Sequence, residues 1–333
     1  MQKSLPGVRQ TAQAVGRCVA VWGLAGTLAG LGCGGGDMSM MDDTPPPPAD
    51  AIRVAIGPYT LSPGQETTVC VTGYLPSDLP VDVIKIETRQ TYSHHIIFYR
   101  ENNDVPETPA PVACPPLDIL SSSRAPLFIG ETPTASMQLP TGVAYRMGTR
   151  MPYRIEGHFL NATAQQQQAL AEIYLSPAPM GSTQQEADMV FLNAVSQLNK
   201  SYDGQKGGLP PMRDTTIDPA FWPLPTELAD SKFFAITSHQ HRLGTHFTIS
   251  KSADAGAVGT PLYENSDWEH PLLQQYPDGA PLTFAPGEGF RWVCQFRNTT
   301  SSYISFGQSA EKNEMCIVWG YYYPSQGFRV TFL

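Results

Sequence analysis

The 333-residue chain has no Gly-rich phosphate loop and no repeat of solenoid period. Those absences argue against chemistry built on a phosphate-cradling loop and against stacked-repeat architectures. Positive charge is scarce: Lys and Arg number 21 against 30 Asp and Glu, for a net charge of -9. Nucleic acids and anionic membrane surfaces both reward a basic patch, so neither is expected as a partner. Long hydrophobic runs are missing too. The apolar stretch from Cys18 to Leu31 is too short and too rich in Gly and Ala for a membrane-spanning helix. Proline (31) and glycine (29) are abundant, as expected for many short strands joined by turns.

Lys3, Arg9 and Arg17 ahead of that apolar stretch have the layout of an export signal. The stretch ends at Gly32-Cys33 and resembles a bacterial lipoprotein signal, in which the first cysteine is lipidated; Gly30 departs from the aliphatic residue usual three places earlier. Residues 1–33 are therefore read as the signal, with Cys33 the lipidation site. Residues 34–50, which include Pro45 to Pro48, form a Pro-rich tether. The expected location is periplasmic or cell-surface, on the outer membrane, with the lipid as the only membrane contact.

Cys70, Cys114, Cys294 and Cys316 remain, an even number in an oxidising compartment. Three pairings are possible in principle. Cys294 with Cys316 is favoured because both lie in strand-like runs that a short loop would bring together, and this leaves Cys70 with Cys114 by elimination. Closing the shorter loop would contribute ~3 kcal/mol on a chain-entropy basis.

Short alternating apolar runs fill residues 51–177 and 178–333, with a Pro-rich boundary at 177–180; Gln184 to Asn199 could instead form a short helix. The fold class expected is all-β, as two antiparallel sandwich domains in tandem.

Seven histidines occur, and five are grouped: His94-His95, His158, and His239 with His241. The run before His239 reads as a strand, on which residues two apart share a face, so His239 and His241 can meet one metal ion. Adjacent His94 and His95 would point to opposite faces of a regular strand. A shared site requires the strand to bulge or end there. Tyr153, Ile155 and Phe159 alternate with Arg154, Glu156 and His158, which turns His158 away from the core. Met315 shares a strand face with Ile317 and Trp319, and Cys316 takes the other. A strand methionine is usually core filler, but two imidazoles with a thioether make a soft site suited to Cu(I).

Four patches carry a resemblance: Ser93 to Phe98, Tyr153 to Asn161, His239 to Gly244, and Glu314 to Cys316 running into Tyr322-Tyr323-Pro324. In that order they resemble the type II, ascorbate-dependent copper monooxygenases that hydroxylate peptidylglycine or dopamine. The similarity runs from about residue 55 to the C-terminus and is slight from Ser176 to Asp230. It implies two jelly-roll sandwiches and two copper ions per chain, one on His94, His95 and His158, the other on His239, His241 and Met315. The last three would be catalytic. Dioxygen would be the oxidant and ascorbate the reductant. The Cys294 and Cys316 positions also match a family disulfide.

The peptide-amidating branch of that family holds a substrate carboxylate with an Arg, an Asn and a Tyr. The matching positions here are Thr237, Ile317 and Trp319, none of them positive, and Glu156 stands where that branch has Gln. The expected cleft therefore takes a neutral or cationic small molecule rather than a glycine-extended peptide, in a chain expected to act as a monomer. The competing reading is a copper-binding or copper-storage lipoprotein without hydroxylase activity, and a third is an adhesion module whose histidines bind nothing. His246 and His270 have no counterpart in the scheme and are read as structural or surface residues.

Overall fold

A computed structural model describes residues 46–333 apart from Leu120, Ser122 and Met180. The signal, Cys33 and most of the tether lie outside the described residues. Strand accounts for 53% of the structure and helix for 3%, which settles the all-β class.

Two sandwiches follow one another. The first pairs a sheet ordered Ile52–Leu61, Gln167–Ala178, Val81–Thr91, Val143–Met147 with a sheet ordered Glu66–Tyr74, Pro152–Leu160, Ser93–Glu101, Arg124–Gly130. Numbering these eight main strands in chain order gives 1-8-3-6 facing 2-7-4-5, the jelly-roll arrangement. The second sandwich repeats it. Asp188–Asn193, Ile317–Tyr323, Lys232–His239 and Gln274–Gln275 form one sheet, and Arg213–Thr216, Gly289–Asn298, Gly244–Ser252 and Thr260–Asn265 form the other. The changeover comes late, because Gln185–Glu186 still pairs in parallel with Val143 and Ala144 of the first sandwich.

The sheet containing Lys232–His239 and Ile317–Tyr323 is the middle layer of the molecule. Met189, Phe191, Met315, Ile317, Trp319 and Tyr321 join the hydrophobic cluster of the first sandwich. Their neighbours in sequence, Val190, Leu192, Cys316, Val318 and Tyr322, join the cluster of the second. With both faces covered, its strands lose the apolar-polar alternation of a half-exposed sheet. Asp188–Asn193 is buried at every residue, which is why its sequence reads equally well as a buried helix.

Both disulfides form, Cys70 with Cys114 and Cys294 with Cys316. Cys316 lies in the second cluster while Met315 lies in the first, so the bridge holds this strand from the face opposite the methionine.

Candidate metal centre

Tyr92, in the left-handed region at φ 52°, separates Val81–Thr91 of one sheet from Ser93–Glu101 of the other. The chain therefore enters the second sheet abruptly, and the ladder to Pro152–Leu160 slips at once: Ser93 pairs with Phe159 but His95 with His158. The slip is the bulge that adjacent histidines need to share a side. The His94 and His95 rings lie 5.3 Å apart, and the His158 ring lies 5.1 Å from His95 and 5.4 Å from His94.

On the middle sheet, His239 pairs with Ile317 and Thr237 with Trp319. Directly opposed residues share a face, so His239 looks toward the first sandwich with Ile317 and Trp319. Continuing the register sets His241 opposite Met315. Glu314 fastens the two segments together by accepting the backbone N–H groups of His241, Leu243 and Met315 at 3.0, 2.7 and 3.3 Å. Burial pushes its carboxyl up to about 8 against those hydrogen bonds.

The two histidine groups meet. His94 lies 4.8 Å from His239 and 5.3 Å from His241, ring to ring, closer to His239 than to His95. Ligand atoms of His94, His239 and His241 fall within 4.8 Å of one another. All five histidines are 4% exposed or less. The sequence places three on one sandwich and two on the other; the structure gathers them into one buried cluster, with His94 between the groups.

Each ring's bonded nitrogen identifies its free one. His158 donates Nε2–H to Glu66 at 2.9 Å, His239 donates Nδ1–H to Glu131 at 2.6 Å, and His241 donates Nδ1–H to the Asn313 carbonyl at 3.1 Å. The opposite nitrogens, His158 Nδ1 and Nε2 of His239 and His241, then carry lone pairs. His158 Nδ1 lies 3.4 Å from His95 Nε2. Two nitrogens ligating one ion at about 2.0 Å lie roughly 3.3 Å apart at a tetrahedral angle. Both nitrogens of His94, Nδ1 of His95 and Nε2 of His239 are buried without a hydrogen-bond partner. Such orphaned atoms are rare in a folded protein unless an ion or water meets them. Burial, aided by the neighbouring imidazoles, holds His94, His95 and His241 well below the usual histidine range and brings His239 to about 3. These rings are neutral at physiological pH, which is the ligating form. The donor set thus fits a nitrogen-preferring transition metal such as copper.

Other sequence-predicted residues fall into place differently. Met315 is 1% exposed. Thr237 directs its hydroxyl to Glu131 at 3.4 Å. Ile317 and Trp319 are fully buried, and Trp319 packs edge-on against Phe191 at 4.7 Å. Glu156 is also fully buried, accepting from the Tyr99 hydroxyl at 3.0 Å and the Leu117 N–H at 2.7 Å. In this conformation no solvent reaches Glu156, Ile317 or Trp319. A cavity of about 280 Å³ lined by Tyr92, His94, Trp268 and His270 reaches the cluster, with Trp268 5.6 Å from the His94 ring, and another of about 260 Å³ reaches Glu131 and Thr237. His246 bonds to the Ser266 hydroxyl on the far sheet.

Glu66, Glu131, Glu314 and Trp268 are the site residues that sequence reasoning missed. Only Glu314, next to Met315, carried a local signal.

Fold and site together define a tandem jelly-roll protein with a buried histidine cluster between its sandwiches that could hold a transition metal. Residues 223–332 match the family model of the copper type II ascorbate-dependent monooxygenase, C-terminal domain. The match spans His239, His241, Met315 and both cysteines of the second bridge. No curated protein matches the chain. Among solved structures, the major capsid protein P2 from bacteriophage PM2 is similar at 10% identity and a TM-score of 0.32, over 81% of this chain and 97% of that one, a likeness too distant to bear on function.

Proposed function

We propose that the protein is a copper monooxygenase that hydroxylates an activated C–H bond of a small molecule, with dioxygen as oxidant and ascorbate as reductant. The observation that carries this reading is the convergence of five buried histidines, three of them with unpartnered ring nitrogens, beside the strand pair that Met315 leads into within the family match. Two copper ions account for the donor set: five imidazoles and a thioether exceed the four or so positions one copper offers. His94, His95 and His158 would hold one, and His239, His241 and Met315 the other.

Bound copper would supply the one-electron steps by which one oxygen atom enters the C–H bond and the other leaves as water, using two electrons from ascorbate and two protons. The chain's own part is to hold six neutral donors in fixed orientation and keep bulk water out. The thioether of Met315 favours the reduced metal. The cavity that reaches His94 has Trp268, Glu269 and His270 in its lining and no Lys or Arg, so a substrate carboxylate would go unpaired there, a loss of roughly 1.5–3 kcal/mol per charge-assisted bond. A neutral or cationic substrate follows. The chain is further proposed to be an exported monomer anchored through lipid on Cys33.

Dioxygen uptake by copper-loaded protein with ascorbate and a panel of small aromatic and amine substrates tests the reading. Substrate-dependent uptake with a hydroxylated product is expected, and a glycine-extended peptide should not be turned over. Tight copper binding with no product from any substrate would favour the storage reading.

A further inference from the structure

We propose that Glu131, carried by the first sandwich, is the positioning residue for His239 of the second, so that the second copper site is complete only when the sandwiches are docked. The inference rests on the copper reading above. Glu131 directly follows strand Arg124–Gly130 and is 5% exposed. Its Oε1 accepts the Nδ1–H of His239 at 2.6 Å and its Oε2 accepts the Thr237 hydroxyl at 3.4 Å. Both partners stand on one strand of the other sandwich. Beside the same contact, the Ile129 N–H donates to the Tyr321 hydroxyl at 3.2 Å, so this stretch of the first sandwich lies against the middle sheet.

A carboxylate on the far nitrogen of an imidazole does three things: it fixes the tautomer, stops the ring from turning, and raises the basicity of the ligating nitrogen. Here it commits Nδ1 and presents Nε2, which is buried and without a partner. The ring it meets, His239, is neutral and brings no charge to offset the carboxylate. A carboxylate buried so deeply with no Lys or Arg against it is costly in an apolar interface, and a cation one ring away is what would offset that cost.

Glu66 makes the reciprocal link. It takes His158 on its own sandwich, and it also accepts the Ser309 hydroxyl at 2.7 Å and the Ala310 N–H at 2.6 Å, in the loop that leads to Met315. Burial pushes the Glu66 carboxyl up, but these hydrogen bonds outweigh it and bring it down to about 2. Each proposed copper site is thus tied by one carboxylate to the opposite sandwich.

The test is copper affinity of the full chain, by chelator competition, together with the Cu(II) electron paramagnetic resonance spectrum. Glu131→Leu should weaken the second equivalent roughly 10–100-fold, the usual effect of losing such a support. Glu131→Gln keeps an acceptor but loses the charge; it should weaken binding several-fold and shift the spectrum. Tyr321→Phe removes a hydrogen bond across the same interface without touching a histidine, and should lower thermal stability while leaving affinity and spectrum unchanged. Wild-type affinity and spectrum in both Glu131 variants would overturn the proposal. So would a Tyr321→Phe loss as large as that of Glu131→Leu. If Glu131→Leu fails to fold, Glu131→Gln against Tyr321→Phe decides.

Discussion

His239 and His158 each commit one ring nitrogen to a carboxylate, and those carboxylates lie 108 and 92 residues away in the chain. That separation explains which residues were legible in the sequence. The histidine groups were visible by their spacing on strands, and Met315 entered only through the chemistry of a soft site and the family resemblance, but Glu131 and Glu66 become partners only once two sandwiches are built and docked. Glu156 shows the converse. Its strand parity with His158 is as expected, yet its carboxyl is committed to Tyr99 and Leu117. Glu156→Gln should therefore leave copper stoichiometry and substrate preference unchanged, at a stability cost of about 1–3 kcal/mol for the disturbed buried bonds, read by denaturant titration. At Met315 the volume-conserving Met315→Leu separates ligand from filler. We expect it to cost less than ~1.5 kcal/mol of stability but to lose Cu(I) affinity and turnover. Full retention of both would make the methionine a packing residue.

At the scale of the element, the strand pair Lys232–His239 and Ile317–Tyr323 positions the second half of the centre because it is buried on both faces. Its parity was readable from the sequence, as was the need for a bulge at His94-His95. Where that bulge falls was not, since it depends on the chain crossing between sheets at Tyr92. Asp188–Asn193 was ambiguous for a related reason: a six-residue run covered on both sides has no alternation to mark it as a strand. The Cys294–Cys316 bridge ties this element to the sheet behind it. A Cys294→Ala, Cys316→Ala double variant should lose about 3 kcal/mol and lower the melting temperature by roughly 6–12 °C. It should weaken copper binding at the Met315 site as well. Loss of stability with copper affinity intact would show that the strand holds its ligands without the bridge.

The whole molecule repeats one topology twice with no visible sequence repeat. A jelly roll is specified by alternation and turns, which many sequences satisfy, so the all-β class and the tandem sandwiches were legible in the strand pattern, while the jelly-roll topology of each came only through the family resemblance. Nor could the sequence show that the three-histidine and two-histidine groups face each other, because that depends on which face of the middle sheet covers the first sandwich. The contact leaves His94 as close to the second group as to its own, and this makes the number of ions the central quantity. Metal analysis after copper loading and exhaustive dialysis measures it most directly. The account predicts two equivalents per chain, falling to one in His158→Ala and to one in His241→Ala. A single equivalent in the intact protein, abolished by His94→Ala, would mean that the cluster holds one ion on His94, His239 and His241, and would contradict the account.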